Sequence, residues 1–324
     1  MVMTGRSHRL AARLFPRDPR FFDYLRARYQ SWSIILTEIL NQSYRLAHLP
    51  GACQLTTVGV ETNNTCNLSC LHCPVNQEMK RKKGLMKLET FQKIIDLNPE
   101  VDRVYLTDWG EPLLHPQLVS MINYAHEQGK HTSLTTNATL LDEILSQALL
   151  DSHLDVIKFS VDGGQEIYQK IRGFSYEQVE ANILRFIRMR NESKKKTWIE
   201  VSMVIYDETL PEVEAFQKEW RGKADFVNFQ PKFFSLPKRK KSLCRDLWRI
   251  LVVLWDGRVV PCCVDYEGDI ILGDAEKENL QKIFQGPKMK ALRKKHLQNK
   301  RPGLCAKCLP YYADYHLPPR LLRS

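Results

Sequence analysis

No run of about eighteen apolar residues occurs in the 324-residue chain, so no segment has the length and hydropathy of a membrane-spanning helix. A secretory signal is missing too. The opening MVMTGRSHRLAARLF is basic, with neither a continuous apolar centre nor a small-residue cleavage site. The cytosol is therefore the expected compartment. Cysteine is scarce for a disulfide scaffold: nine residues gather in short-spaced groups, which in a reducing compartment favours metal binding or catalysis over bridges. Acid is short relative to base. The net charge of +11 comes largely from blocks at 80–83, 194–196, 238–241 and 293–295, with no recognised nucleic-acid module around them, so solvated surface is their expected role.

What is present is an ordinary globular composition, 43% hydrophobic and 26% charged, long enough for one large or two medium domains. Residues 1–50 read as a helical N-terminal extension. In it Phe21, Phe22, Leu25, Tyr29, Trp32, Ile35, Leu36, Ile39 and Leu40 recur at roughly helical spacing, a stripe expected to pack on its own domain. Strands are then predicted over 55–62, 103–107, 131–136, 156–161, 198–206 and 226–230. Helices are predicted over 88–97, 117–128, 140–150, 165–171, 176–190 and 210–220. Six strand–helix repeats over 51–237 make the fold class α/β, a parallel sheet with outer helices closing as an open, partial (β/α)6 TIM-like barrel. Chemistry in such sheets collects in the loops at the C-terminal strand ends. From 238 to 324 the texture changes to a small domain: a hairpin around Asp256-Gly257, a helix over 287–298, then Cys305 and Cys308. Its apolar content is low, and a metal centre would compensate.

The run TCNLSCLHC places Cys66, Cys70 and Cys73 in a Cys-x3-Cys-x2-Cys loop after the first strand. Iron–sulfur cubanes normally take four thiolates, so a three-thiolate loop leaves one iron open, as a catalytic metal keeps a free position. A zinc loop with a distant fourth ligand is the plainer alternative. This spacing, together with Asp108-Trp109-Gly110-Glu111-Pro112, Thr135-Thr136-Asn137-Ala138-Thr139 and Ser160-Val161-Asp162-Gly163 at successive strand ends, resembles the radical S-adenosylmethionine (radical SAM) superfamily. The resemblance covers residues ~55 to 235 and departs from the family's "GGE" at Trp109. It implies a 4Fe–4S cluster on the three cysteines, with S-adenosylmethionine on the open iron. Gly110 and Glu111 would serve its ammonium, and Asn137 its ribose or carboxylate. Ser160 would take the carboxylate or ribose and the Arg172 fork the carboxylate, and the His72 ring would lie near adenine. Asn137 is also a common turn residue, and Arg172 could equally face solvent.

Cys244, Cys262, Cys305 and Cys308 resemble the SPASM/twitch extension, which holds an auxiliary iron–sulfur cluster. With no cysteine after Cys308, one fully ligated auxiliary 4Fe–4S cluster is implied. Cys262 and Cys263 are not separated by spacing, a zinc ribbon would use the same four thiolates, and Cys53 reads as structural. The resemblance implies an oxidoreductase of dehydrogenase type. A 5′-deoxyadenosyl radical would take hydrogen from a small molecule, such as a sugar or cyclitol alcohol, and the auxiliary cluster would accept an electron. Asp265 and Arg245 are candidates for proton transfer or substrate contact, and Cys263 or Cys53 for the thiol hydrogen donor that an epimerisation would need. Peptide or protein maturation is the second reading, with the N-terminal helix recruiting a leader. A non-catalytic metal-binding protein is the third. A basic face would suit an acidic flavodoxin- or ferredoxin-type electron donor.

Overall fold

The computed structural model describes residues 32–231 and 243–308. Helix α1 (Trp32–Leu46) is followed by β1 (Thr57–Val60), α2 (Leu88–Asp96), β2 (Arg103–Tyr105), α3 (Leu118–Glu127), β3 (His131–Thr136), α4 (Glu143–Asp151) and β4 (Val156–Ser160). Then come α5 (Gln165–Arg172), α6 (Tyr176–Glu192), β5 (Trp198–Ile205), α7 (Val213–Trp220) and β6 (Phe226–Pro231). The C-terminal part holds β7 (Ile250–Val253), β8 (Arg258–Val260), β9 (Gly273–Asp274), α8 (Leu280–Phe284), α9 (Pro287–Leu297) and α10 (Gly303–Lys307). The first six strands are parallel and lie in chain order, the open arrangement that six strand–helix repeats predict. The predicted sixth helix starts with a 3-10 turn over Leu210–Glu212 before α7.

The sheet does not stop at the barrel. β7 pairs parallel with β1, Thr57 opposite Ile250 through Val60 opposite Val253, and β8 and β9 extend it antiparallel. All four residues of β1 are buried, as expected of a strand covered on both faces. Leu247, Trp248, Phe284 and Leu292 join Val58, Val104 and Phe159 in one apolar core. The C-terminal unit therefore shares its core with the barrel and does not rest on a metal centre alone.

Alternation along the strands divides the barrel sheet into two faces. Ile157, Phe159, Ile199 and Val201 belong to the core, with Phe159 edge-on to Phe186 of α6 at 5.5 Å. The register puts the residues between them on the concave face: Thr135 beside Lys158 beside Glu200, and Ser160 beside Ser202 beside Asn228. Lys158 Nζ lies 3.0 Å from Glu200 Oε1.

The apolar stripe of residues 1–50 behaves differently from the expectation. Phe21, Phe22, Leu25 and Tyr29 lie outside the described residues. Within α1, however, Leu36, Ile39 and Leu40 are more than half or half exposed, while Glu38 and Asn41 are buried. The polar face turns inward because it satisfies buried partners. Glu38 pairs with Arg103, which also donates to Thr57 Oγ1, and Asn41 bonds Gln54 O and the Cys53 amide. Gln42 and Arg45 reach the carbonyls of Arg245 and Leu243. Among the described residues the basic blocks are largely solvated as expected, with Lys80, Lys82, Lys83, Lys194, Lys196, Lys294 and Lys295 exposed; the exceptions are Arg81, paired with buried Glu61, and Arg293, which is fully buried. Cys53 has an exposed side chain, and only its backbone carries bonds.

Candidate active site

The thiols of Cys66, Cys70 and Cys73 sit in the loop after β1, braced on both sides. Leu71 N–H donates to Ile171 O at 2.8 Å, Asn76 Nδ2 to Leu68 O at 2.7 Å, and Asn63 Nδ2 to Glu111 O at 3.0 Å. Gly110, at φ +108°, lets the next loop press against this one. A Cβ there would stand 2.5 Å from Asn63 O and 2.8 Å from Thr65 O, so no other residue fits. Donors point at the sulfurs: the Leu68 amide lies 3.4 Å and Asn137 Nδ2 3.8 Å from Cys66 Sγ, and Arg172 Nη1 lies 3.9 Å from Cys70 Sγ. Burial pushes the Cys66 thiol up to about 11 and raises that of Cys73, so bound metal is what would draw off the protons. All nine cysteines are unbridged. Among the described residues no three His, Cys, Asp or Glu side chains converge on one metal ion. The loop thus offers spaced thiols under N–H donors, a donor set that suits a cluster's sulfurs.

Around this loop the residues singled out in the sequence take distinct tasks. Glu111 is buried and its carboxylate is committed to the fold, accepting from Thr136 Oγ1 at 2.7 Å, the Asn137 amide at 2.8 Å and the Leu113 amide at 3.1 Å. Asn137 takes the turn role, and its side-chain amide also braces the cysteine loop. Its Oδ1 caps the Thr139 amide at 2.9 Å, and its Nδ2 reaches Asn67 Oδ1 at 3.1 Å beside Cys66. Arg172 does not face solvent. Its guanidinium binds Asp162 Oδ2 and Ser160 Oγ, and although burial opposes its charge, Asp162 and Cys70 hold it firmly cationic. The His72 ring stacks on Tyr206 with centroids 4.1 Å apart, at the end of β5.

The second cysteine set lies in the C-terminal unit, and its thiols feel one another: Cys244 with Cys262 and Cys308, Cys305 with Cys308, Cys263 with Cys308. Burial pushes Cys244 up to about 12 and Cys308 to about 11. Cys263 packs partly on Val252, Leu254 and Val260. Asp265 is not available for chemistry, because its two oxygens accept the amides of Asp269 at 2.8 Å and Ile270 at 2.9 Å and close its own turn.

Two features went unread in the sequence. Asp108, just after β2, has a buried Oδ2 without a hydrogen-bond partner among the described residues, close to Cys263. Burial, then Glu61 and Asp265, raise its acid well above the usual range against the pull of Arg81. Next to it, Trp109 donates its indole N–H to Cys263 O and meets Tyr266 edge-on at 5.6 Å, joining the two cysteine-bearing regions. The other feature is the polar concave face of Thr135, Lys158, Ser160, Glu200, Ser202 and Asn228. Its signal was available: polar residues at every second position in strands that parallel packing would otherwise make apolar throughout.

Comparison with known proteins agrees with this geometry. Residues 60–218 match the radical SAM superfamily, and residues 244–309 match an iron–sulfur cluster-binding domain, SPASM. A tungsten-containing aldehyde ferredoxin oxidoreductase cofactor-modifying protein of Pyrococcus furiosus is 31% identical over 106 residues, which are 32% of this chain and 30% of that one. The match thus spans about a third of that relative's length. The fold resembles the crystal structure of BtrN in complex with AdoMet and 2-DOIA, with a TM-score of 0.53 and 17% identity over 79% of this chain and 93% of that one. It also resembles Streptococcus suis SuiB bound to the precursor peptide SuiA, with a TM-score of 0.57 and 12% identity over 83% and 72% of the two chains.

Proposed function

The chain belongs to the radical SAM superfamily and carries a C-terminal SPASM iron–sulfur domain, and on that footing we propose that it oxidises an alcohol of a small polar molecule, such as a sugar or cyclitol, to a carbonyl. When bound, the first cluster supplies the electron that splits S-adenosylmethionine into methionine and a 5′-deoxyadenosyl radical, and the auxiliary cluster offers a place for the electron left after hydrogen abstraction.

In this reading Cys66, Cys70 and Cys73 hold the first cluster, and Cys244, Cys262, Cys305 and Cys308 the auxiliary one. Ser160 and Arg172 receive the carboxylate of S-adenosylmethionine, and Glu111 fixes the loops of Gly110 and Asn137 that border it. The stacked His72 and Tyr206 rings offer a surface to adenine. The observation that carries the reading is the polar concave face, where Lys158 and Glu200 stand ready for hydroxyl or amino groups. Burial keeps most of Asp108 protonated at rest, and its ionised fraction, the stronger base for that raised acid, takes the hydroxyl proton. The hydrogen atom would end in 5′-deoxyadenosine and the remaining electron on the auxiliary cluster that Cys244, Cys262, Cys305 and Cys308 would hold, so the two-electron oxidation balances. The exposed Lys80 and Lys82, just after the cysteine loop, suit an acidic flavodoxin- or ferredoxin-type donor in a reducing cytosol.

The test is anaerobic turnover with a panel of cyclitols and sugars. One methionine and one 5′-deoxyadenosine should form per carbonyl product. Asp108→Asn should still cleave S-adenosylmethionine while product falls about 10²-fold or more, the usual weight of a general base. A product carrying deoxyadenosyl carbon, or turnover only on a peptide, would reject the reading.

A further inference from the structure

We propose that the outward face of α1 docks this protein on an anionic lipid surface. The face is unusual in what it shows to water. Leu36 is 58% exposed, Ile39 56%, Leu40 50% and Leu46 68%, with Tyr44 beside them. At 100° per residue these positions fall on one side of the helix, and none of the exposed residues from 36 to 47 is charged. Scattered exposed apolar residues are ordinary, but a contiguous stripe on one helix marks a contact surface. The helix cannot rotate to hide it, because Glu38, Asn41, Gln42 and Arg45 are tied inward by the bonds described above.

The sequence leading into the helix says what the stripe meets. Residues 1–31 hold seven arginines against two aspartates, with Phe15, Phe21, Phe22, Tyr24 and Tyr29 among them. In sequence, arginines and aromatic residues run directly into an uncharged apolar helix face, the composition of segments that bind the headgroup region of an anionic bilayer. A second copy of the chain fits worse. Two faces meeting about a two-fold axis would bring together chains that each carry +11. The pairing of Glu38 with Arg103, at the start of β2, places the helix by the N-terminal strand ends. Docking there leaves the loops at the opposite ends free.

The experiment is co-sedimentation of the full-length, cluster-loaded protein with vesicles of phosphatidylcholine alone and of a roughly 70:30 mixture with phosphatidylglycerol. The protein should pellet at least about tenfold better with the anionic vesicles, and less so as salt rises to about 0.5 M. The double variant Ile39→Glu, Leu40→Glu should lose about tenfold or more of that binding and melt at the same temperature as the parent without vesicles. Equal pelleting of parent and variant, or none, overturns the proposal. A lowered melting temperature would mean that the chain's own residues cover the face. A dimer seen by light scattering in the parent and lost in the variant would mean a second copy. Either result also overturns it.

Discussion

Arg172 Nη2 stands 2.7 Å from Asp162 Oδ2 and 2.6 Å from Ser160 Oγ, so one guanidinium ties the end of β4 to the C-terminus of α5. Lysine has one compact ammonium and cannot reproduce the fork. Arg172→Lys should fold, yet weaken S-adenosylmethionine binding by about tenfold or more, as lost charge-assisted bonds do. Equilibrium dialysis on cluster-loaded protein measures this, and unchanged affinity would remove Arg172 from the carboxylate site.

The carboxylate of Glu111 accepts three donors and is spared by none of them. In Glu111→Gln an amide NH2 replaces one acceptor and must oppose either the Asn137 amide or the Thr136 hydroxyl. Leaving such a buried donor unmet costs about 1–3 kcal/mol. Urea unfolding of the cluster-free variant should show that loss, and a midpoint equal to the parent's would mean the loops hold without it.

Much of this arrangement was legible in the residues because it is local. β3 begins at His131 and ends at Thr136 as predicted, and Gly129, at φ +70°, follows the end of α3 as a helix-ending glycine should. The cysteine spacing and the strand-end motifs likewise carry their meaning within a few positions. What was hidden depends on distant partners. Nothing near Ile250 says that β7 will lie along β1, and nothing near Arg81 says that Glu61 awaits it. Asp265 looked available until the amides of Asp269 and Ile270 closed on it, and Asp108 looked ordinary because its isolation is a property of the packed molecule. Helix α1 misled for the same reason: its pattern was amphipathic, but the side that turned inward was chosen by Arg103 and Gln54.

His296 in α9 is buried, and neither ring nitrogen has a hydrogen-bond partner among the described residues. Burial, reinforced by Arg301, pushes its pKa down to about 4. Between pH 6.5 and 4 the unfolded chain therefore binds a proton that the folded one refuses. This contribution to stability is whole above about 6.5 and is lost as pH falls toward 4, by roughly 3 kcal/mol in all. Urea midpoints at pH 7 and pH 5 should differ less in His296→Leu than in the parent, and an equal difference would assign the acid sensitivity to other groups.

The seam between β1 and β7 has a thermal consequence. A backbone ladder of four register pairs, backed by a core that both units fill, leaves no plane along which they can part without exposing apolar side chains of each. Heating should then produce a single calorimetric endotherm, not one for each cysteine-bearing region. Damage that loosens the far hairpin would thus be felt by the strand that feeds the first thiol loop.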